Sequence, residues 1–424
     1  MPSYNTELSQ RANKHGFYVV YIRITENRKM KRIATDVMIP KEHYNPKAKY
    51  GRWVRASNME HAKLNRIIEE SIEKIQRQVA IQVAGGGEVL KGKFDSNGEI
   101  GGITVKTHFE NTLEAMKVEK SFIYYKGAKS MFTRFQEFVG EDTRLADITP
   151  DHVQRFKIHL IGTQIKNVTI NNIMKRIHNT FIPAMRMNLI DKDPFRSHDT
   201  LTEVAESKQR LTDDQIEAME NLTINTDNPK NWLFHTRNMY LFSYYNAGIR
   251  VADLMQLRHN NVTADGRLEY EMDKTGHKKS IKLNKAAVAI LAYYQNPLAK
   301  KTDYIFPVLD NEAPYAAYIT YSQKKAMSFD MKEALSLATS SKTSQINNNL
   351  KTISKLIKLD KSITFHTARH SFADKARRSM KGSQKITLFD IKNALGHKSI
   401  VTTERYMNEL DKESLDEAMD DIFG

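Results

Sequence analysis

Between Phe17 and Ile39 the chain reads as strand. FYVVYIRI (17–24) and RIATDVMI (32–39) are rich in β-branched and aromatic residues, and Ile33, Thr35, Val37 and Ile39 alternate onto one face. The basic turn TENRKMK separates the two runs, and a third short strand is expected around Trp53 and Val54. From about residue 59 to 83 the period changes. Leu64, Ile67, Ile68, Ile72, Ile75 and Val79 recur at helical spacing, so the pattern predicts a three-stranded sheet packed on one helix.

Seven of the 18 glycines then fall between Gly85 and Gly102, the composition of a tether. From Ile103 to about Phe195 the pattern is helical, in four segments: THFENTLEAMKV, IYYKGAKSMFTRFQEFVG, TPDHVQRFKIHLI and TINNIMKRIHNTFIPAMRMNLI. Phe132, Phe135, Phe138 and Val139 form an apolar stripe, which is a core feature rather than a chemical one. Residues 196–210 are polar, and Thr212 is placed to cap a new helix. Helices dominate from there to about residue 410. One strand pair interrupts them at RLEYEMDKTGHKKSIKL, with Gly276 in its turn. Residues 335–350, rich in Ser, Thr, Asn and Lys, read as a surface connection before the helix NNLKTISKLIKL. No internal repeat is found.

At 424 residues the chain exceeds what one core usually serves, so two or three domains are expected. Lys and Arg number 65 against 50 Asp and Glu, giving a formal charge of +15 and a pI near 9.5, which favours a polyanionic partner such as nucleic acid. There is no cysteine, which excludes disulfides, thiol catalysis and Cys-ligated zinc or iron–sulfur centres. The polar start MPSYNTELSQRANKHG is unlike a signal peptide, and no run approaches the roughly 18 apolar residues of a membrane span. A cytoplasmic protein with no membrane partner is expected.

Candidate chemistry collects near the end. In HTARH, His366, Arg369 and His370 share one helical face. Alone this is an ordinary surface or core group, and an HExxH-type zinc site is disfavoured because Glu is absent and no third ligand follows. In LGHKSIVTTERYM, Gly396 breaks a helix, Ser399 can cap the next, and Tyr406 lies on its second turn. Arg250, after Ala247-Gly248, starts a helix with apolar Val251, Leu254, Met255 and Leu257. Lys274 stands in the hairpin 24 residues later. Each has a bland reading: packing for the tyrosine, helix-start exposure for Arg250, edge protection for the lysine. Together they supply two guanidiniums, an ammonium, imidazoles and a phenol, the components of metal-free phosphoryl transfer.

Read in order, AGIR, DKTGHKKSIKL, HTARH, LGHKS and TTERY resemble the tyrosine recombinase family, the phage lambda integrase-type site-specific recombinases. The Arg250-to-His366 gap and the nine-residue step from His397 to Tyr406 match that pattern. The whole arrangement is similar to mobile-element integrases of Bacteroidota. The resemblance implies a mainly α fold with small β-sheets (α+β) in several domains. These are a strand-rich arm-type DNA-binding domain (1–85), a glycine-rich linker (86–102), a helical, SAM-like core-binding domain (103–197), a mixed, mostly helical catalytic domain (208–410) and an acidic tail (411–424).

It further implies that Arg250 and Arg369 are the catalytic arginines, Lys274 the hairpin lysine, His366 the first residue of the HxxR pair, His397 the next histidine and Tyr406 the nucleophile, with His370 in support. On that reading the arginines fork onto the non-bridging oxygens and His397 adds a hydrogen bond. Tyr406 forms a 3′-phosphotyrosine, Lys274 protonates the leaving 5′-oxygen, and His366 orients the phenol or takes its proton. No cofactor, metal or ATP is called for. The partners implied are double-stranded DNA at core and arm sites, further copies of the chain in a synaptic tetramer, and room for a DNA-bending host factor. The tail DKESLDEAMDDIFG carries six acids and one lysine, with Leu415, Ala418, Met419 and Ile422 on one face; it suits docking into a neighbouring protomer, the outcome the resemblance favours, or folding back in cis or fraying. Inversion or resolution of DNA by the same chemistry, a non-catalytic DNA-binding protein on this fold, a type IB topoisomerase-like enzyme and a metal-dependent nuclease are the alternatives.

Overall fold

The computed structural model describes residues 2–26, 29–48, 51–84, 103–187, 189–203, 209–225, 231–381 and 385–408, with Met419, Ile422 and Phe423. The chain divides into two compact units, residues 1–120 with 124–203, and residues 121–123 with 204–424. The glycine-rich tether and most of the acidic tail lie outside the described residues. Met419, Ile422 and Phe423 are exposed.

The first unit begins with an antiparallel sheet in the order β1 (Ser3–Leu8), β2 (Tyr18–Glu26), β3 (Lys29–Ile39). Val20, Ile22 and Ile24 of β2 and Ile33, Val37 and Ile39 of β3 are buried beneath Ile68, Ile72, Ile75 and Val79 of α1 (His61–Ala84). Thr35, on the same face, is satisfied by donating to the Val20 carbonyl at 2.8 Å. The third strand is not where the sequence pattern put it. Trp53 and Val54 are buried, but Val54 forms an isolated bridge to Tyr44, and Asn65 of α1 accepts from its N–H and donates to its carbonyl at 2.8 and 3.0 Å. A helix side chain satisfies that backbone, so no ladder is needed there. The strand role falls to polar SYNTEL, whose residues pair with β2 from Ser3↔Thr25 to Leu8↔Val20.

Four helices follow in the same unit: α2 (Val105–Glu119), α3 (Phe122–Val139), α4 (Pro150–Gly162) and α5 (Asn167–Arg186). Thr104 and Thr149 cap α2 and α4 by accepting from backbone N–H groups three residues on. Phe109, Phe132, Phe135, Phe156 and Phe181 form the core between them, Phe109 stacking on Phe132 at 4.4 Å.

The second unit holds α6 (Asp213–Glu220), α7 (Trp232–Tyr245), α8 (Val251–Met255), a hairpin of β4 (Arg267–Glu271) and β5 (Lys278–Lys282), then α9 (Lys285–Ala292), α10 (Tyr321–Lys325), α11 (Phe329–Leu356), α12 (His366–Lys381), α13 (Leu388–Leu395) and α14 (Ile400–Asn408). Thr212 caps α6 as expected, with Gln215 completing a reciprocal capping box. Helix α7 runs through the middle, and its Met239, Tyr240 and Phe242 are fully buried against α11 and α12. The surface connection expected at 335–350 is instead the body of α11, 28 residues long. Its Thr339, Thr343 and Ser344 hydroxyls donate to carbonyls four residues back, while Ile346, Leu350 and Ile353 enter the core. The hydroxyl groups that would compete with a helix are absorbed within it, and burial of the apolar stripe decides the outcome. Ala373, Ile391, Leu395 and Met407 make a smaller core joining α12, α13 and α14. Among the described residues no helix is long and apolar enough to cross a membrane.

Candidate active site

The second unit brings a backbone turn, two helix ends and a hairpin together around Arg369. This arginine, one turn into α12, is 6% exposed. Its Nη1 donates to the Gly248 carbonyl at 3.1 Å, and its Nη2 donates to the carbonyl of Leu395, the last residue of α13. The Gly248 backbone approaches closely: with φ at +67°, a Cβ there would lie 2.6 Å from Cα of Arg369. Only glycine meets both demands. The turn Ala247-Gly248 therefore sets Arg250, the residue preceding α8, beside Arg369.

Arg250 is half-buried. Its Nη1 lies 3.4 Å from Sδ of Met272 and 4.0 Å from Oδ2 of Asp253. Asp253 is buried and accepts the Asp273 N–H at 2.9 Å. Burial pushes its carboxyl up to about 6, an effect that the Asp273 N–H and Arg250 oppose and the Asp273 charge adds to. Burial, and then the neighbouring Arg250, draw the Arg369 guanidinium down to about 10. A low-dielectric cluster of like charge is a ready site for an anion.

The imidazoles and the phenol stand in a row. Tyr406 in α14 shares a hydrogen bond with Nδ1 of His370 in α12, and their rings lie 5.4 Å apart. His366 packs edge-on against His370 at 4.7 Å and is exposed at the start of α12. On the other side, His397 meets the Tyr406 ring edge-on at 5.6 Å, its Nδ1 held 3.0 Å from the buried hydroxyl of Thr403. Arg369 is also close enough to Tyr406 for their charges to interact. The chain segment between His397 and Tyr406 is shaped by Gly396, which caps α13 in the left-handed conformation (φ +68°), and by Ser399, which accepts the Val401 N–H at 3.2 Å.

Of the six residues singled out by motif, Arg250, His366, Arg369, His397 and Tyr406 are gathered here. Lys274 is exposed in the hairpin turn, next to Met272 and Asp273, which reach Arg250 and Asp253. That turn has further contacts outside the cluster. Asp273 accepts from Lys324 Nζ at 3.0 Å and from Gln256 Nε2, and the Tyr321 N–H donates to Glu271 at 2.9 Å. Gly276 (φ +70°) leaves room for the Tyr321 ring, 2.8 Å from where its Cβ would be. The lysine beside the arginines is Lys279 of β5, only 8% exposed. Its Nζ donates to the Ala394 carbonyl at 2.8 Å and to that of Asn393. Burial, then Arg369 and Arg250, lower its ammonium to about 8. Sequence reasoning passed over Lys279 because it is one of two adjacent lysines; strand alternation, which turns Lys278 and Ser280 outward and Lys279 inward, was the available signal. His370, taken as support, is the residue in direct contact with the phenol. Among the described residues no group of three His, Asp or Glu side chains is placed to hold a metal ion.

Three family profiles match the sequence: the Arm DNA-binding domain over residues 8–82, the Phage integrase SAM-like domain over 104–201, and the Phage integrase family over 209–413. No curated protein matches the chain. Among solved structures, a lambda integrase dimer bound to a COC′ core site superposes with a TM-score of 0.54 at 16% identity, covering 73% of this chain and 97% of that one. The Tn1549 transposon integrase with circular intermediate DNA gives 0.52 at 12% identity, covering 76% and 99%. A lambda integrase tetramer on a Holliday junction gives 0.50 at 15% identity, covering 93% of each chain. At these identities the superpositions establish a shared fold, and the sequence profiles, which between them run from the arm domain to the end of α14, establish kinship. The chain belongs to the phage integrase family, the tyrosine-type site-specific recombinases.

Proposed function

We propose that this recombinase integrates or excises a mobile element by exchanging DNA strands through Tyr406, with Arg250, Arg369, His397, His366, His370 and Lys274 as its working groups. The observation that carries this reading is the placement of the Tyr406 hydroxyl on His370 Nδ1, within the charge field of the buried Arg369. A phosphodiester repels nucleophiles through its negative charge. Attack needs cationic donors already fixed where the phosphorane's extra charge appears. Arg250 and Arg369 supply those donors on the two non-bridging oxygens, and their planar forks suit that contact better than ammonium groups would. His397 adds a hydrogen bond.

His370 orients the phenol and receives its proton, with His366 packed on its ring. As the Tyr406 oxygen bonds to phosphorus, the P–O5′ bond breaks and the 5′-oxygen takes a proton from Lys274. The products are a 3′-phosphotyrosine and a free 5′-hydroxyl. Attack by the 5′-hydroxyl of another strand reverses the step and returns the proton to the lysine. The phosphotyrosine conserves the energy of the broken bond, so exchange runs without ATP. Lys274 follows Met272 and Asp273, which face Arg250 and Asp253, and this supports a lysine working beside the arginines.

The DNA partners are core and arm sites, in keeping with the net charge of +15 and with DNA-bound lambda and Tn1549 integrases of the same fold. The lambda integrase tetramer on a Holliday junction supports a tetramer as the working assembly, and the cytoplasm is its place of action. A DNA-bending host factor belongs to the same reading. The test is incubation in EDTA with a duplex carrying the element's attachment site, nicked beside the crossover point. A covalent protein–DNA complex is expected, and specific binding with no covalent complex would overturn the catalytic reading in favour of a DNA-binding role.

A further inference from the structure

We infer that Lys279 is a positioning residue of the recombination site: its ammonium docks the β4–β5 hairpin onto the C-terminal end of α13 and so fixes the turn that carries His397. The inference rests on the recombinase reading above. Its physical basis is an account of the last four carbonyls of α13, which no helical N–H can satisfy. Lys392 O accepts from the His397 N–H at 3.1 Å, and Asn393 O accepts from the Gly396 N–H at 3.1 Å. Leu395 O is taken by Arg369. Ala394 O is taken by Lys279, which also reaches Asn393 O.

An ammonium buried on the inward face of a strand, beside two guanidiniums, is costly and needs an opposing negative charge. The carboxyl end of a helix provides one, since its free carbonyls carry the negative pole of the backbone dipoles. The low affinity of this ammonium for its proton reflects that cost. Apolar contact reinforces the dock. A Cβ at Gly396 would lie 2.7 Å from Cε of Met272 and 3.0 Å from Cε of Lys279, so both sides of the hairpin, next to its turn, press on the residue before His397. The consequence is mechanical. The two strands, where they enter the hairpin turn, are anchored to the turn that leads to His397 and on to Tyr406, while Lys274 is exposed between them.

The test compares Lys279→Met, which keeps the stem and removes the ammonium, with Lys279→Arg, which keeps a cationic donor. Both are made in the full chain and assayed on nicked attachment-site DNA, with hydrogen exchange on the free protein. Lys279→Met is expected to cleave at least tenfold more slowly at saturating DNA with unchanged DNA affinity. It should also exchange the Gly396, His397 and Lys398 amides faster, and Lys279→Arg should recover most of both. A substrate with sulfur at the bridging 5′ position, whose leaving group needs no proton, should not rescue it. Rescue by that substrate would overturn the positioning role, because it would make Lys279 a proton donor. Wild-type exchange and cleavage in Lys279→Met would overturn it equally. If the wild type itself forms no covalent complex, the recombinase reading fails, while the exchange data still decide the dock. Should Lys279→Met fail to fold, Lys279→Gln, which keeps a donor but no charge, takes its place: slow cleavage with fast amide exchange supports the dock, and wild-type exchange contradicts it.

Discussion

Tyr406 and His370 share a hydrogen bond between the phenol and Nδ1, bridging 36 residues of sequence. This contact fixes the phenol against an imidazole nitrogen. His370→Ala is therefore expected to lower the single-turnover cleavage rate by roughly 10²-fold, the lower end of what a positioned acid or base contributes. DNA affinity should be little changed. Rapid-quench measurement with saturating duplex checks it, and an unchanged rate would remove His370 from the mechanism.

Gly248 and Gly266 both have positive φ, at +67° and +74°, but their surroundings differ. A Cβ at Gly266 meets nothing within 4 Å, whereas at Gly248 it meets the backbone of Arg369 at 2.6 Å. Gly266→Ala is expected to cost about 1–2 kcal/mol, the conformational term alone. Gly248→Ala should cost clearly more and abolish cleavage, because the turn that places Arg250 cannot move away from a backbone atom. Denaturant unfolding of the two variants makes the comparison, and equal losses would contradict the packing argument.

Lys274 is exposed, so Lys274→Ala should leave the melting temperature within the error of the measurement. Its cleavage rate should fall by roughly 10²- to 10⁴-fold on ordinary DNA, as loss of a general acid predicts. A bridging 5′-sulfur substrate should restore most of that loss. Failure of sulfur to rescue would mean that Lys274 is not the proton donor.

Asp213 accepts from Lys375 and Arg378 at 2.8 and 3.1 Å, and hydrogen bonds first from Arg378 and then from Lys375 pull its carboxyl down to about 2. A carboxylate with a lowered folded value contributes stability above its unfolded value near 4, and that stability is lost as pH falls from there towards 2. The pair is nearly half-exposed, so solvent screening limits it to on the order of 1 kcal/mol. Asp213→Asn should flatten that part of the acid-unfolding curve and leave a deficit of this size at pH 7. Parallel acid limbs for both proteins would refute it.

Much of this molecule was legible because its signals are local. The alternation of Ile33 to Ile39, the helical spacing of Leu64 to Val79, the Thr212 cap and the turn at Gly276 each depend on a few neighbouring residues, and each is found as read. The misreadings are places where distant partners decide. SYNTEL is a strand because β2 offers it an edge, and Val54 is not one because Asn65 satisfies its backbone first. The Ser and Thr residues of α11 are tolerated because their hydroxyls donate to carbonyls of the same helix while Leu350 and Ile353 are buried in the core. In the candidate site, motif order selected Arg250, Arg369, His397 and Tyr406, whereas the contacts of Lys279 and His370 arise from the packing of β5 on α13 and of α12 on α14, over separations of 115 and 36 residues. No local pattern encodes those.

The central claim is that Tyr406 becomes covalently joined to DNA. The most direct measurement is mass spectrometry of the peptide that retains nucleotide after digestion of the covalent complex, alongside the same reaction with Tyr406→Phe. A 3′-phosphonucleotide on Tyr406 and no complex from Tyr406→Phe, which keeps the ring contacts with His370 and His397, is the result expected. A modified residue other than Tyr406, or a covalent complex that persists in Tyr406→Phe, would contradict the account.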